Sequence, residues 1–234
     1  MKLAIMQPYI FPYIGYFQLI NAVDKFVVYD NIQFTKKGWI NRNRILVNGE
    51  DEYITLPLKK DSDFLNIHQR VLSDTFKEER NKILRKINES YKKAPEFESV
   101  FPLISEILNY DEDNLFSFIF NSITCVCNFL EINTEFIISS SLSIDHNLRA
   151  QDKVIAICKE LGTTTYINPS GGIELYSKET FNQNNINLKF IKPGNIEYQQ
   201  FNNAFVPWLS IIDVMMFNGK EKIKEYLDTA YTVL

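Results

Sequence analysis

Histidine and cysteine are scarce in this chain of 234 residues, which has two of the first and three of the second. His68 and His146 lie far apart without a partner at ligand spacing, so the pattern predicts no metal centre. Cys125, Cys127 and Cys158 are an odd number, and the first two fall in an apolar, helix-like run. This excludes a disulfide framework and reads as reduced thiols filling core space in a cytoplasmic protein. Long hydrophobic runs are also missing. The opening Met1-Lys2-Leu3-Ala4-Ile5-Met6 is broken by Gln7-Pro8, short of a secretory h-region of about 7–15 residues, and no run nears the roughly 18 apolar residues of a membrane span. Neither sign of charge dominates, with 25 Lys+Arg against 29 Asp+Glu and a net charge of −4. No global field is available for a nucleic-acid backbone or an anionic membrane, so any anionic ligand needs a local basic cluster. No G-x-G-x-x-G, Walker A, G-x-S-x-G or H-E-x-x-H occurs, which counts against the familiar dinucleotide, kinase and hydrolase classes.

What is present is core material: 45% hydrophobic and 14% aromatic residues, enough for a single α/β domain over 1–234. Leu3 to Met6 reads as a buried strand, Phe17 to Val23 as a helix and Lys25 to Tyr29 as a second strand. Gln7 and Asp30 then stand at the carboxyl ends of strands, where α/β proteins gather ligands. Asn48-Gly49 between Ile45-Leu46-Val47 and Tyr53-Ile54-Thr55-Leu56 signals a hairpin. Helices are expected over 76–91, 97–108 and 114–130, making a helical insert or subdomain at about 76–135. Strand and helix alternate again after 135, with strands at 135–138, 164–167 and 188–191 and helices at 147–161, 174–182 and 207–227. The expected architecture is a Rossmann-like parallel core built from the N- and C-terminal βα segments around a helical middle.

Four groups of residues carry chemistry. Tyr9, Phe11, Tyr13 and Tyr16, with Gln7, put rings and polar tips into one proline-stiffened loop suited to stacking on a base or sugar. Gln33, Lys37, Trp39, Arg42 and Arg44, with Lys36 nearby, form the basic cluster; on a strand Arg42 and Arg44 share one face and could clamp a diphosphate, while Asn41 and Asn43 share the other. The same pattern also fits a solvated strand face. Tyr166, Asn168, Gly171 and Gly172 follow a strand and offer backbone amides to a phosphate or carboxylate, though turns use the same residues. Asp30, Asp213 and His146, with His68 behind them, are the acid–base candidates. Asp213 sits in an apolar run and must have a partner, structural or catalytic. His68 reads as a surface strand residue.

Three long segments carry a resemblance. Gln7-Pro8-Tyr9-Ile10-Phe11-Pro12-Tyr13-Ile14-Gly15-Tyr16-Phe17-Gln18, Asp24-Lys25-Phe26-Val27-Val28-Tyr29-Asp30-Asn31-Ile32-Gln33-Phe34 and Gly38-Trp39-Ile40-Asn41-Arg42-Asn43-Arg44-Ile45 resemble the WbqC-like family. Tyr91-Lys92-Lys93-Ala94-Pro95, Tyr166-Ile167-Asn168-Pro169-Ser170-Gly171-Gly172 and Leu209-Ser210-Ile211-Ile212-Asp213 agree as well, so the likeness spans nearly the whole chain. The resemblance implies a setting in bacterial O-antigen or other surface-polysaccharide synthesis and a glycine or acyl transferase acting on an amino sugar. It brings no catalytic set. A more distant likeness, to nucleotidylyltransferases and pantothenate-synthetase-like ligases, rests on the opening strand, loop and helix. Tyr13 and Tyr16 stand where those enzymes have histidines, which puts adenylate-forming chemistry in doubt but not a nucleotide-shaped pocket.

The expected activity is therefore acyl or aminoacyl transfer to the amine of a nucleotide-linked amino sugar. The expected donor is an acyl or aminoacyl thioester, with an acyl carrier protein as one carrier, or an amino acid activated with ATP. Asp30 or Asp213 would take the amine proton, and Asn41, Asn43 or the Gly171-Gly172 amides would hold the oxyanion. An ATP-dependent amide ligase and a non-catalytic sugar-nucleotide or carrier-protein binding module are the alternatives.

Overall fold

The computed structural model describes residues 1–234. Its centre is a six-stranded sheet made of β1 (Lys2–Met6), β2 (Lys25–Val28), β5 (Glu135–Ile138), β6 (Thr165–Pro169), β7 (Asn187–Pro193) and β8 (Tyr231–Val233), in the order β5-β2-β1-β6-β7-β8. All pairs are parallel except β7 with β8. A separate antiparallel hairpin joins β3 (Arg42–Val47) to β4 (Glu50–Thr55), in register Arg42 opposite Thr55 and Val47 opposite Glu50. Its two-residue turn holds Asn48 at φ 51° and Gly49 at φ 85°, the doubly left-handed geometry that the Asn-Gly pair accepts at least cost.

The parallel strands alternate between two apolar layers. Leu3, Ile5, Val27, Tyr166, Leu188 and Phe190 point to one face, where α5 (Ala150–Glu160) and α6 (Lys178–Gln183) cover them through Val154, Ile155 and Phe181. Ala4, Phe26, Val28, Ile167 and Ile191 point to the other, beneath α1 (Ile14–Asn21), α7 (Ile211–Phe217) and α8 (Lys220–Thr229). Period-two side-chain direction is what lets each short strand, buried on both faces, serve two cores at once. The middle helices α2 (Phe76–Tyr91), α3 (Phe97–Leu108) and α4 (Leu115–Phe129) share the second core, which runs as one cluster of 47 buried side chains from Ala4 to Leu227.

Several elements differ from the sequence reading. The first helix begins at Ile14, because the 8–13 loop folds tightly onto β3 and releases the chain early. The Pro207 to Leu227 helix is two helices split at Asn218-Gly219, and the antiparallel edge strand β8 follows them. His68 lies in a 3-10 turn, Ile67–Gln69, rather than on a strand. A 3-10 segment, Ser170–Leu175, follows β6 before α6 begins at Lys178.

Strand order reverses beside β1: the chain steps from β1 to β2 and β5 on one side, then crosses back to β6 on the other. The loops leaving the carboxyl ends of these strands form the edge where a doubly wound sheet binds ligands.

Candidate functional site

The aromatic loop after β1 is set by backbone clamps. Asn43 donates both amide hydrogens to the Ile10 and Phe11 carbonyls, at 3.1 and 2.9 Å, and the Ser210 hydroxyl reaches the same Phe11 carbonyl at 2.8 Å. The amides of Ile10 and Ile211 bond to the Ile40 and Pro12 carbonyls. Phe11 is held at φ 41° with its ring fully buried, and Tyr16 is buried with its hydroxyl on the Gln7 carbonyl at 3.0 Å. These two rings are core, contrary to the stacking role expected of them. Tyr9 and Tyr13 remain half-exposed, and burial pushes both phenols above their ordinary range, so they stay hydrogen donors at neutral pH.

Tyr9, Pro12, Tyr13, Trp39, Asn43, Arg44 and Trp208 line a cavity of about 210 Å³. Both tryptophans of the chain stand at it, 39% and 59% exposed, with Trp208 edge-on to Tyr13 at 6.0 Å and Trp39 stacked on Tyr53. Trp208 was not anticipated; its lone ring at Pro207-Trp208 carries no local motif. Exposed indole faces are costly to leave in water, and several around one ring-sized hollow make an adhesive surface for a planar or sugar ring.

Arg42 and Arg44 do share a face of β3, but the diphosphate clamp is not assembled. Arg42 donates to the Gly38 carbonyl at 3.1 Å and to the Lys37 carbonyl, with its guanidinium over the Tyr53 ring at 4.7 Å. Arg44 is ion-paired with Asp51 at 3.0 Å and reaches the Trp208 carbonyl at 3.4 Å. Lys36 is paired with Asp63 at 2.6 Å, and Lys37 lies exposed in a left-handed turn at φ 67°. Lys36, Arg42 and most of the Arg44 guanidinium are engaged in loop contacts, and only Lys37 is left without a partner. Arg42→Ala is accordingly expected to lower stability by about 1–2 kcal/mol through the 37–38 turn, a fall of roughly 2–8 °C in melting temperature. A calorimetric scan that leaves the melting temperature unchanged would contradict that assignment.

Two larger hollows lie along the sheet edge. Gln7, Gln33, Thr35, Lys36 and Asp63 line one of about 440 Å³. Tyr29, Asn31, Gln33, Asn66, His146, Arg149 and Lys153 line another of about 520 Å³, and the two share Ile32 and Gln33. The Tyr9 hydroxyl, at the aromatic cavity, donates over 3.4 Å to Gln7 Oε1, at the first of these, so the two are lined by neighbouring side chains. The two larger hollows fall within the roughly 300–1,000 Å³ of ordinary small-molecule pockets.

His146 is the titratable imidazole of the larger hollow. The Ser139 hydroxyl donates to Asn31 Oδ1 at 2.9 Å, which turns the Asn31 amide hydrogens toward His146 Nδ1, 2.9 Å away. Nε2 then carries the proton and donates to the Leu142 carbonyl at 3.1 Å. The relay orients the ring with its basic nitrogen on a neutral, exchangeable donor.

The two acids are placed otherwise. Asp30, buried at the end of β2, accepts the Ser140 amide at 2.9 Å and faces His68 Nδ1 at 3.6 Å, so it joins the 67–69 and 139–141 turns. It lines none of these hollows. Asp213 lies in the first turn of α7, fully buried, where its carboxylate accepts from Tyr91 at 2.8 Å, Tyr198 at 2.7 Å and Gln200 at 2.6 Å. Burial pushes its pKa above the usual carboxylate range, while the three hydrogen bonds oppose the shift. Neither acid faces a place where an amine could stand, which corrects the expectation of a base at either. Asn43 has no free amide hydrogen for an oxyanion, and Asn41 spends one on the Leu56 carbonyl at 2.8 Å.

Tyr166 is buried, stacked on Phe181 at 5.6 Å, and its hydroxyl holds Asn168 Oδ1 at 3.0 Å. Asn168 and Gly172 are in close approach: a Cβ at Gly172 would meet Asn168 Nδ2 at 2.1 Å, whereas Gly171 stands in open space. Tyr166 and Asn168 thus shape the turn after β6 and do not reach the hollows. Gly172→Ala forces Asn168 aside and is expected to cost about 1–3 kcal/mol, read as a shift in a urea midpoint. A midpoint equal to wild type would show that Asn168 yields freely.

No group of three or more His, Cys, Asp or Glu side chains stands close enough to hold a metal ion. No helix is long and apolar enough to cross a membrane. Burial pushes the Cys127 and Cys158 thiols up to about 12, which keeps them protonated.

A family model described as the WbqC-like protein family matches residues 7–225. The chain belongs to the WbqC-like protein family. This WbqC-like protein is similar to the uncharacterized protein Rv1507c of Mycobacterium tuberculosis (strain ATCC 25618 / H37Rv), 27% identical over 231 residues that make up 97% of each chain. No solved structure matches it. The match takes in the aromatic loop, the β3 face, His146, Lys153 and Trp208.

Proposed function

We propose that this WbqC-like protein is an N-acyltransferase or aminoacyltransferase, with glycyl as one acyl group, that modifies the amine of a nucleotide-linked amino sugar. The observation that carries this reading is the cavity at which both tryptophans meet Tyr9 and Tyr13, with a polar hollow beside it whose Gln7 accepts from the Tyr9 hydroxyl. Rings with polar tips suit a sugar or base, and amide-rich walls suit its hydroxyls. Bacterial surface polysaccharides such as O-antigen, assembled from nucleotide-linked sugars, are the product class this chemistry serves.

The amine must be free of its extra proton before it attacks. His146 takes this role in place of Asp30 or Asp213: the substrate ammonium replaces Asn31 as donor to Nδ1 and passes a proton to it. With an acyl thioester, carried by coenzyme A or an acyl carrier protein, the nitrogen forms a bond to the carbonyl carbon. The C–S bond then breaks, the nitrogen gives its second proton to solvent, and the thiol leaves with the proton His146 returns. An ATP-activated amino acid is the alternative donor, and Tyr13 and Tyr16 in the places of loop histidines weigh against it. A binding module without turnover is favoured by one observation, that no carboxylate faces the His146 hollow.

Ligand titration followed by tryptophan emission tests the reading, because both indoles report on one cavity. A nucleotide-linked amino sugar at about 100 times its dissociation constant is expected to quench emission and to raise the melting temperature by roughly 5–10 °C. Response to ATP with glycine alone supports the ligase instead. No response to any sugar nucleotide removes the transferase reading.

A further inference from the structure

The larger hollow holds a cation that the fold does not account for. Lys153, on the first turn of α5, is 4% exposed, and a lysine buried to that degree is ordinarily ion-paired. Lys153 has no carboxylate within 4.0 Å; its ammonium makes one hydrogen bond, 3.3 Å to the His146 carbonyl, and lies 5.1 Å from the centre of the Tyr29 ring. Two of its three N–H groups are unused, at the wall of a hollow of about 520 Å³. Asp30 and Asp145 lie beyond ion-pair distance but favour the charged form against the desolvation that lowers its pKa. Arg149 lines the same hollow with its guanidinium bonded to no protein group, and as the residue before α5 it leaves that helix without a side-chain cap. Ala150 lines the hollow as well, so the uncapped start of an 11-residue helix stands at the wall that carries the two cations.

We propose that Lys153, Arg149 and the first-turn amides of α5 form a phosphate-binding site that takes the diphosphate of the nucleotide-linked sugar. The inference rests on the transferase reading for the ligand's identity, and the geometry of the site rests on none of it. Arg149 supplies a planar fork for two phosphate oxygens, Lys153 a point charge from below, and the helix amides a neutral cradle. Asn31 and Gln33 in the same lining serve ribose or sugar hydroxyls, and Gln33, shared with the Gln7 hollow, aligns the ligand toward Gln7 and the aromatic cavity. The Arg42–Arg44 face has less spare capacity: Arg44 is paired with Asp51 and keeps only its buried Nε without a partner, and Arg42 is tied to the 37–38 turn.

Calorimetric titration of the whole protein with pyrophosphate and, separately, with uridine diphosphate glucosamine tests the site in wild type, Lys153→Met and Arg149→Gln. Lys153→Met keeps the buried stem, and the exposed Arg149 serves as the second variant should the first fail to fold, which circular dichroism reports. Each substitution is expected to weaken both ligands by about tenfold or more, the loss of a charge-assisted hydrogen bond. Pyrophosphate that binds wild type and is lost in the variants, with the sugar nucleotide no tighter than pyrophosphate, upholds the site and removes the sugar-nucleotide reading. Sugar nucleotide bound equally by wild type and both variants upholds that reading and overturns the site. Pyrophosphate that fails to bind wild type overturns it as well.

Discussion

Asp213→Ala is expected to be the most destabilising single substitution at a polar position of this protein. Three donors converge on that carboxylate from separate parts of the chain: Tyr91 at the end of α2, and Tyr198 and Gln200 in the segment before α7. Tyr91 is itself bonded by the Leu46 amide at 2.8 Å, so β3 is part of the same network. Truncation strands all three donors in a dry interior, at about 1–3 kcal/mol each before relaxation, and a total of about 3–5 kcal/mol is expected. At roughly 2–4 °C per kcal/mol for a chain of this size, the melting temperature falls by about 6–20 °C. Asp213→Asn sharpens the test, because its NH₂ would face a donor where the carboxylate accepts. The pH dependence has a definite sign. A carboxyl whose folded pKa is raised binds protons more strongly when folded, so its titration adds stability that is fully present below its unfolded value of about 4 and is lost as pH rises through the folded value. The margin of wild type over Asp213→Asn should therefore narrow across that window in urea unfolding series. A variant that melts with wild type would mean that the network is dispensable.

His146→Gln is expected to have the largest effect on activity. The side chain is exposed, so the fold should change by no more than about 0.5 kcal/mol. Glutamine can still reach Asn31 or the Leu142 carbonyl, but it cannot take a proton from an amine. Under the transferase reading, turnover falls about 10²–10⁴-fold, while the dissociation constant of the sugar nucleotide changes little. Single-turnover transfer from an acyl thioester, followed by mass change of the sugar, separates the two quantities. Wild-type turnover in His146→Gln would assign the proton transfer elsewhere. Loss of binding in step with turnover would make the imidazole a ligand contact instead.

Much of the architecture was legible in the residues because it is locally encoded. Alternating apolar character at Leu3 to Met6, Asn48-Gly49 between two β-rich runs, and the helical spacing of Ile83, Ile87 and Tyr91 each act within a few residues. The elements misread are those settled from a distance. α1 starts at Ile14 because Asn43, thirty residues on, seizes the Ile10 and Phe11 carbonyls, and β8 exists because β7 leaves an edge to pair.

The candidate site divides along the same line. Residue type and spacing marked the aromatic loop, the cationic run over 36–44 and the acids at 30 and 213, and correctly put Gln7 and Asp30 at strand ends. Which of those groups are free was beyond local reading. Asp51 neutralises Arg44, Asp63 neutralises Lys36, and Tyr91, Tyr198 and Gln200 enclose Asp213, all through partners that only folding supplies. Trp208 and Lys153 sit in unremarkable sequence and gain their significance from what surrounds them: a second tryptophan in one case, burial without a counter-ion in the other. By itself the sequence determined the α/β class and the family, since hydrophobic period and turn chemistry are short-range. The tertiary structure alone decided which polar groups remain unspent, because the reactivity of a charge depends on its partners and its water, and both are set by chain segments far away along the sequence.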